Sequence, residues 1–146
     1  MTALRHAVLV LVLSIVMTGC AQDPEPTPEP TVSYTPIADE QLYADITRLP
    51  GVQSVDLDYV DSVTAGRGYI GSIVIDDGAD AAQILDHAIA ILRQGQPDAT
   101  MTIHALRGDE RITPRTALDL TQTDLRELEN RYGPQPGDGQ PPEVAP

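Results

Sequence analysis

The chain has no lysine, no tryptophan and no phenylalanine, and one cysteine, Cys20, among its 146 residues. Without lysine the Ser-x-x-Lys arrangement of acyl-transfer enzymes is impossible, and no G-x-S-x-G stretch offers a nucleophile instead. Histidine is scarce too. Beyond His6 there are only His87 and His104, with no HxxxH spacing and no cysteine pair, which does not make a zinc site. The basic residues are nine arginines against 22 acids, a net charge of −13. Nucleic-acid phosphates require a cationic footprint, so nucleic acid is excluded as a partner. The same field disfavours a domain lying flat on anionic lipid.

What is present begins at the N-terminus. Arg5 and His6 precede an apolar run, Ala7 to Val16, broken only by Ser14. About twenty residues are needed to cross a bilayer, so this run is too short to span and fits the h-region of a signal peptide. It ends in Met17-Thr18-Gly19-Cys20, which resembles the lipobox of bacterial lipoproteins: an apolar residue three before the cysteine, small residues next, then Cys. The resemblance implies a diacylglycerol thioether on Cys20, cleavage between Gly19 and Cys20, and residence at the outer face of the cell membrane. Residues 1–19 are then the signal peptide. Lipidation also accounts for a lone thiol in an exported chain.

Residues 20–36 read as a linker. Pro24, Pro26, Pro28 and Pro30 fall at alternate positions among Asp23, Glu25 and Glu29, which forbids helix and favours an extended polyproline II spacer of about 3.1 Å per residue. Residues 134–146, rich in Pro and Gly, read as a disordered tail.

Between them, residues 37–133 carry the periodicity of one small domain. Thr35-Pro36 reads as N-cap and first turn of a helix with Ala38, Leu42, Ile46 and Leu49 on one face, stopped by Pro50-Gly51. Val55, Leu57 and Tyr59 alternate with Asp56 and Asp58 as in a half-buried strand. Asp61 to Gly68 reads as a long loop before a second, more apolar strand, Tyr69 to Ile75. Asp77 and Asp80 bracket the start of a helix with Ile84, Leu85, Ala88, Ile91 and Leu92 inward, ended by Gly95 and Pro97. Thr100 to Leu106 is a third strand, Arg107 to Arg115 is irregular with room for a short edge strand near Ile112, and a last helix starts near Thr121 or Thr123. The expected fold is α+β in the order α-β-β-α-β-α, a small two-layer sandwich with helices on one face of a three-stranded sheet. The first five elements resemble the αββαβ order of BON-type domains and of ring-building modules in bacterial envelope machines. That resemblance implies an envelope interaction module rather than an enzyme.

Candidate chemistry is sparse. Asp56 and Asp58 share a strand face with Asp61 just beyond, and Asp76, Asp77 and Asp80 cross a strand–helix junction, but neither run matches the Asp-x-Asp-x-Asp-Gly loop that wraps calcium. A solvated face and a helix cap account for them. His87 lies on the polar flank of its helix and His104 faces away from the core, neither beside a nucleophile. Ala65-Gly66-Arg67-Gly68 precedes a strand, the wrong context for a phosphate cradle, and reads as a flexible hairpin tip. No catalytic residue, metal or cofactor is expected, and Cys20 is the one modification site. The expectation is a non-catalytic interaction protein held to the membrane through the lipid on Cys20, with an envelope protein as partner. A small-ligand or divalent-cation binder is the alternative.

Overall fold

A computed structural model describes residues 34–64 and 66–143. Cys20, the expected signal peptide over residues 1–19 and most of the expected linker over residues 20–36 lie outside the described residues. The class is α+β, but the sheet has four strands, not the three expected, and four helices accompany it. Helix α1 (Asp39–Thr47) leads into β1 (Val52–Ser62) and β2 (Gly66–Ile75), then α2 (Ala81–Leu92), β3 (Thr100–Arg107), β4 (Glu110–Ile112), α3 (Pro114–Leu118) and α4 (Leu125–Tyr132). The sheet order is β1-β2-β3-β4, with β2 and β3 parallel and the outer pairs antiparallel.

Alternation decides which strand residues meet the helices. The strand residues in the core are Leu57, Tyr69, Ile73, Ile75, Met101, Ile103 and Ala105, all odd-numbered and therefore on one face. Leu42 and Ile46 of α1, Ile84, Leu85, Ala88, Ile89 and Leu92 of α2, and Leu128 of α4 complete the cluster. Each fully buried aliphatic side chain contributes about 1.5–3 kcal/mol of transfer free energy. Even-numbered strand residues are absent from this cluster; Ile70 is 43% exposed, and Val60, Val74 and Leu106 are half-buried.

Three local expectations need correction. Helix α1 starts at Asp39, not after Thr35, because Ile37 donates its N–H to the Gln94 carbonyl (3.1 Å) and holds the preceding segment extended. The long hairpin loop does not form: β1 continues to Ser62 and β2 resumes at Gly66, so Gly66, Arg67 and Gly68 are strand residues, with Asp61 opposite Arg67. After β3 the chain turns at Gly108 (φ 56°) and folds back as β4, the short edge strand expected near Ile112. Next comes an unforeseen helix, α3, where Thr113 and Thr116 form a reciprocal capping box ahead of Pro114. Asp80, not Asp77, caps α2, accepting from Ala82 and Gln83 N–H at 3.0 and 3.1 Å.

Both flanks of the domain are tied to one place, the turn after α2. Tyr34 donates its hydroxyl to the Gly95 carbonyl at 2.7 Å. Gln135 donates to the Arg93 and Gln96 carbonyls at 3.0 and 3.3 Å, and accepts from Asp98 N–H at 3.0 Å. Residues 134–143 carry no helix or strand, yet Gly139 is buried against Gln94.

Candidate functional site

The two edges of the sheet differ. Beside β3, the backbone is satisfied at Ala105–Arg107 by β4 and further back by Gln122, whose carbonyl accepts from Met101 N–H (2.9 Å) and whose Oε1 accepts from Ile103 N–H (3.0 Å). That leaves only three residues of β4 as an edge. On the other side β1 runs for eleven residues, and among the described residues no strand pairs with its outer side. A row of unpaired N–H and C=O groups on a long edge is a template for another strand.

The side chains along that edge are acidic and aromatic. Asp56 and Asp58 are exposed on the even face, and Asp61, of opposite parity, is engaged by Arg67 at 3.4 Å. On the helix side, α1 brings Asp39, Glu40 and Tyr43 over the strand. Tyr69, wholly buried, anchors the group: its hydroxyl donates to Asp39 Oδ1 (2.9 Å), its ring meets Tyr59 at 5.2 Å and Tyr43 edge-on at 6.4 Å. Burial, then the carboxylates of Asp39, Asp58 and Glu40, push the Tyr43 phenol up to about 12. Burial and Asp61 raise Tyr59 against an opposing effect of Arg67. Burial is the larger cause at both tyrosines, and the neighbouring carboxylates add to it.

The other residues singled out by sequence do not converge. Asp76 accepts from Gln53 Nε2 at 2.8 Å, Asp80 is a helix cap, and Asp61 is turned to Arg67. Among the described residues no three His, Cys, Asp or Glu side chains are grouped to hold a metal ion. His104 lies on the even face in a cross-strand row with Ser72 and Asp56. Its Nδ1 is buried without a hydrogen-bond partner, and burial with Arg111 nearby lowers its pKa. His87 donates Nδ1–H to the Gln83 carbonyl at 2.8 Å.

A buried ionic clip between α2 and α4 was not foreseen. Asp86, 7% exposed, accepts from Arg131 Nε and Nη2 (3.1 and 2.8 Å) and from the Tyr132 hydroxyl (2.6 Å). Nothing in a sequence marks an acid beside an apolar stripe as paired with residues 45 positions away. Around the clip, α2, the end of α3, α4 and residues 138–143 line adjoining open clefts of about 450, 670 and 430 Å³. Arg131 lines all three, but its charge is already committed to Asp86. Asp119, Glu127, Asp138 and Glu143 complete a rim without a nucleophile and base in contact.

No protein-family model matches this chain, and no curated protein and no solved structure matches it significantly. Among the described residues no helix is long and apolar enough to cross a membrane.

Proposed function

We propose that this chain is a lipid-anchored, extracytoplasmic interaction protein whose small α+β sandwich binds an envelope protein partner and performs no catalysis. The observation that carries the reading is the open edge of β1, eleven residues long, on a sheet whose opposite edge is closed by β4 and Gln122. A binding module needs an edge or an apolar patch, and this surface supplies main-chain groups beside the half-buried Val60 and exposed Ile70. The anchor rests on Met17-Thr18-Gly19-Cys20 at the end of a short apolar run.

Two measurements test the two halves. Metabolic labelling with a fatty-acid probe should mark the wild type and not Cys20→Ser, which should leave the membrane fraction or remain uncleaved; equal labelling refutes the anchor. A photo-crosslinking residue placed at Gln53 or Asp58 in intact cells should capture one protein reproducibly, while the same probe at Arg126 on exposed α4 should not. Equal capture from both positions, or from neither, removes β1 as the binding edge.

A further inference from the structure

We infer that the partner presents an extended, cationic segment that pairs with β1 as an additional strand, its lysine or arginine side chains seated between the Asp56–Asp58 face and the Asp39–Glu40–Tyr43 face. The inference rests on the interaction reading above and adds the chemistry of the partner. Strand addition supplies affinity through main-chain hydrogen bonds and leaves specificity to alternate side chains. On β1 those alternate positions meet different surfaces. Residues of the incoming strand on one face lie beside exposed Asp56 and Asp58. Residues on the other lie beside Asp39 and Glu40 in the first turn of α1 and the half-buried rings of Tyr43 and Tyr59. Carboxylates beside tyrosine faces suit a guanidinium or an ammonium, which gains Coulombic and cation–π attraction together.

Charge also excludes the simplest other occupant. Pairing β1 with β1 of a second copy juxtaposes Asp56 and Asp58 of both chains, and like charges directly opposite in a ladder destabilise it. Each chain carries a net charge of −13, which adds long-range repulsion. The acids therefore act as gatekeepers against self-association, and a cationic strand removes their cost by neutralising them.

The test uses the full chain in detergent micelles and a short acetylated peptide of repeated Val-Val-Lys-Lys, which puts lysine on both faces of an added strand. Hydrogen exchange, read residue by residue, should slow along the outer side of β1 on addition of the peptide. Asp58→Asn and Glu40→Gln, both exposed substitutions, should each weaken binding about twofold to fivefold, as expected for solvent-screened pairs. Added salt should weaken it further. The same repeat with glutamate in place of lysine should not protect β1, and the lysine peptide with N-methyl groups along one backbone edge should lose its effect. Protection of β1 by both lysine and glutamate peptides overturns the cationic partner and leaves strand addition standing. Binding of the lysine peptide with protection elsewhere, or undiminished by N-methylation, overturns strand addition. A crosslink from β1 in cells to a segment without basic residues overturns this inference while the interaction reading survives; no β1-specific crosslink removes both.

Discussion

Asp86 shows how much one buried side chain carries when its partners are half-buried beside it. It accepts three hydrogen bonds from Arg131 and Tyr132 and fastens α4 to α2. Replacing only the acid strands a guanidinium and a phenol, a costlier change than swapping the whole cluster for apolar groups. Asp86→Ala should destabilise by about 2–4 kcal/mol, seen as a lower midpoint in thermal melts; a loss near zero would show the clip to be incidental. The tyrosines make a second prediction. The folded-state pKa is raised at Tyr34, Tyr43, Tyr59, Tyr69 and Tyr132, chiefly by burial, to about 12 for Tyr43. The folded chain thus holds its phenolic protons longer than the unfolded chain does. This contribution is fully present below about pH 10 and is lost as pH rises through the folded values. Melting temperatures should fall steadily above pH 10, and absorbance titration of the native protein should lag behind that of the unfolded chain. Coincident titrations would contradict the burial seen here.

At the scale of elements, the hairpin of β1 and β2 depends on one glycine. Gly71 sits at φ 132°, and a Cβ there would lie 2.0 Å from the Asp56 carbonyl oxygen. Gly71→Ala should cost about 3 kcal/mol or more, combining strain with a main-chain clash, and denaturant midpoints will measure it. Gly66→Ala, also at positive φ but facing open space, should cost less. The first five elements were legible in the sequence because periodicity is a local signal: Val55, Leu57 and Tyr59 alternate, and Ile84, Leu85, Ala88 and Leu92 recur at helical spacing. What escaped was set by distant partners. A short edge strand near Ile112 was legible, but its three residues have no period of their own, and only the pairing of Ala105 with Ile112 makes it a fourth strand of the sheet. Asp61 and Arg67 read as loop residues until the two strands bring them opposite. Thr113-Pro114 did carry a helix-start signal, but a five-residue helix has no apolar period to confirm it. The site divides the same way. The acids of β1 and the open far side of that strand were legible in the sequence, whereas the approach of Tyr43 and Asp39 to it depends on packing.

For the molecule as a whole, the open question raised by 22 acids is whether any of them gather an ion. Exported proteins meet millimolar calcium, and a hard cation wants converging oxygens. Asp56 and Asp58 do project from one face of β1, but Asp61 has the other parity and turns to Arg67, while Asp76 and Asp80 are occupied by Gln53 and the start of α2. Such an arrangement screens like any polyanion. Added salt of any kind should stabilise the folded domain slightly by relieving self-repulsion. Calcium should then raise the melting temperature no more than magnesium does at matched ionic strength. A true site held at about one hundred times its dissociation constant would add roughly 2.7 kcal/mol. On a domain this small that is about ten degrees or more, far outside the error of a melt. Asp58→Asn should itself be neutral or mildly stabilising, since it removes one member of a crowded set of like charges. A calcium-specific rise that vanishes in Asp58→Asn would reassign the β1 acids from a docking edge to an ion site. It would also predict that calcium competes with the valine–lysine peptide for the same face.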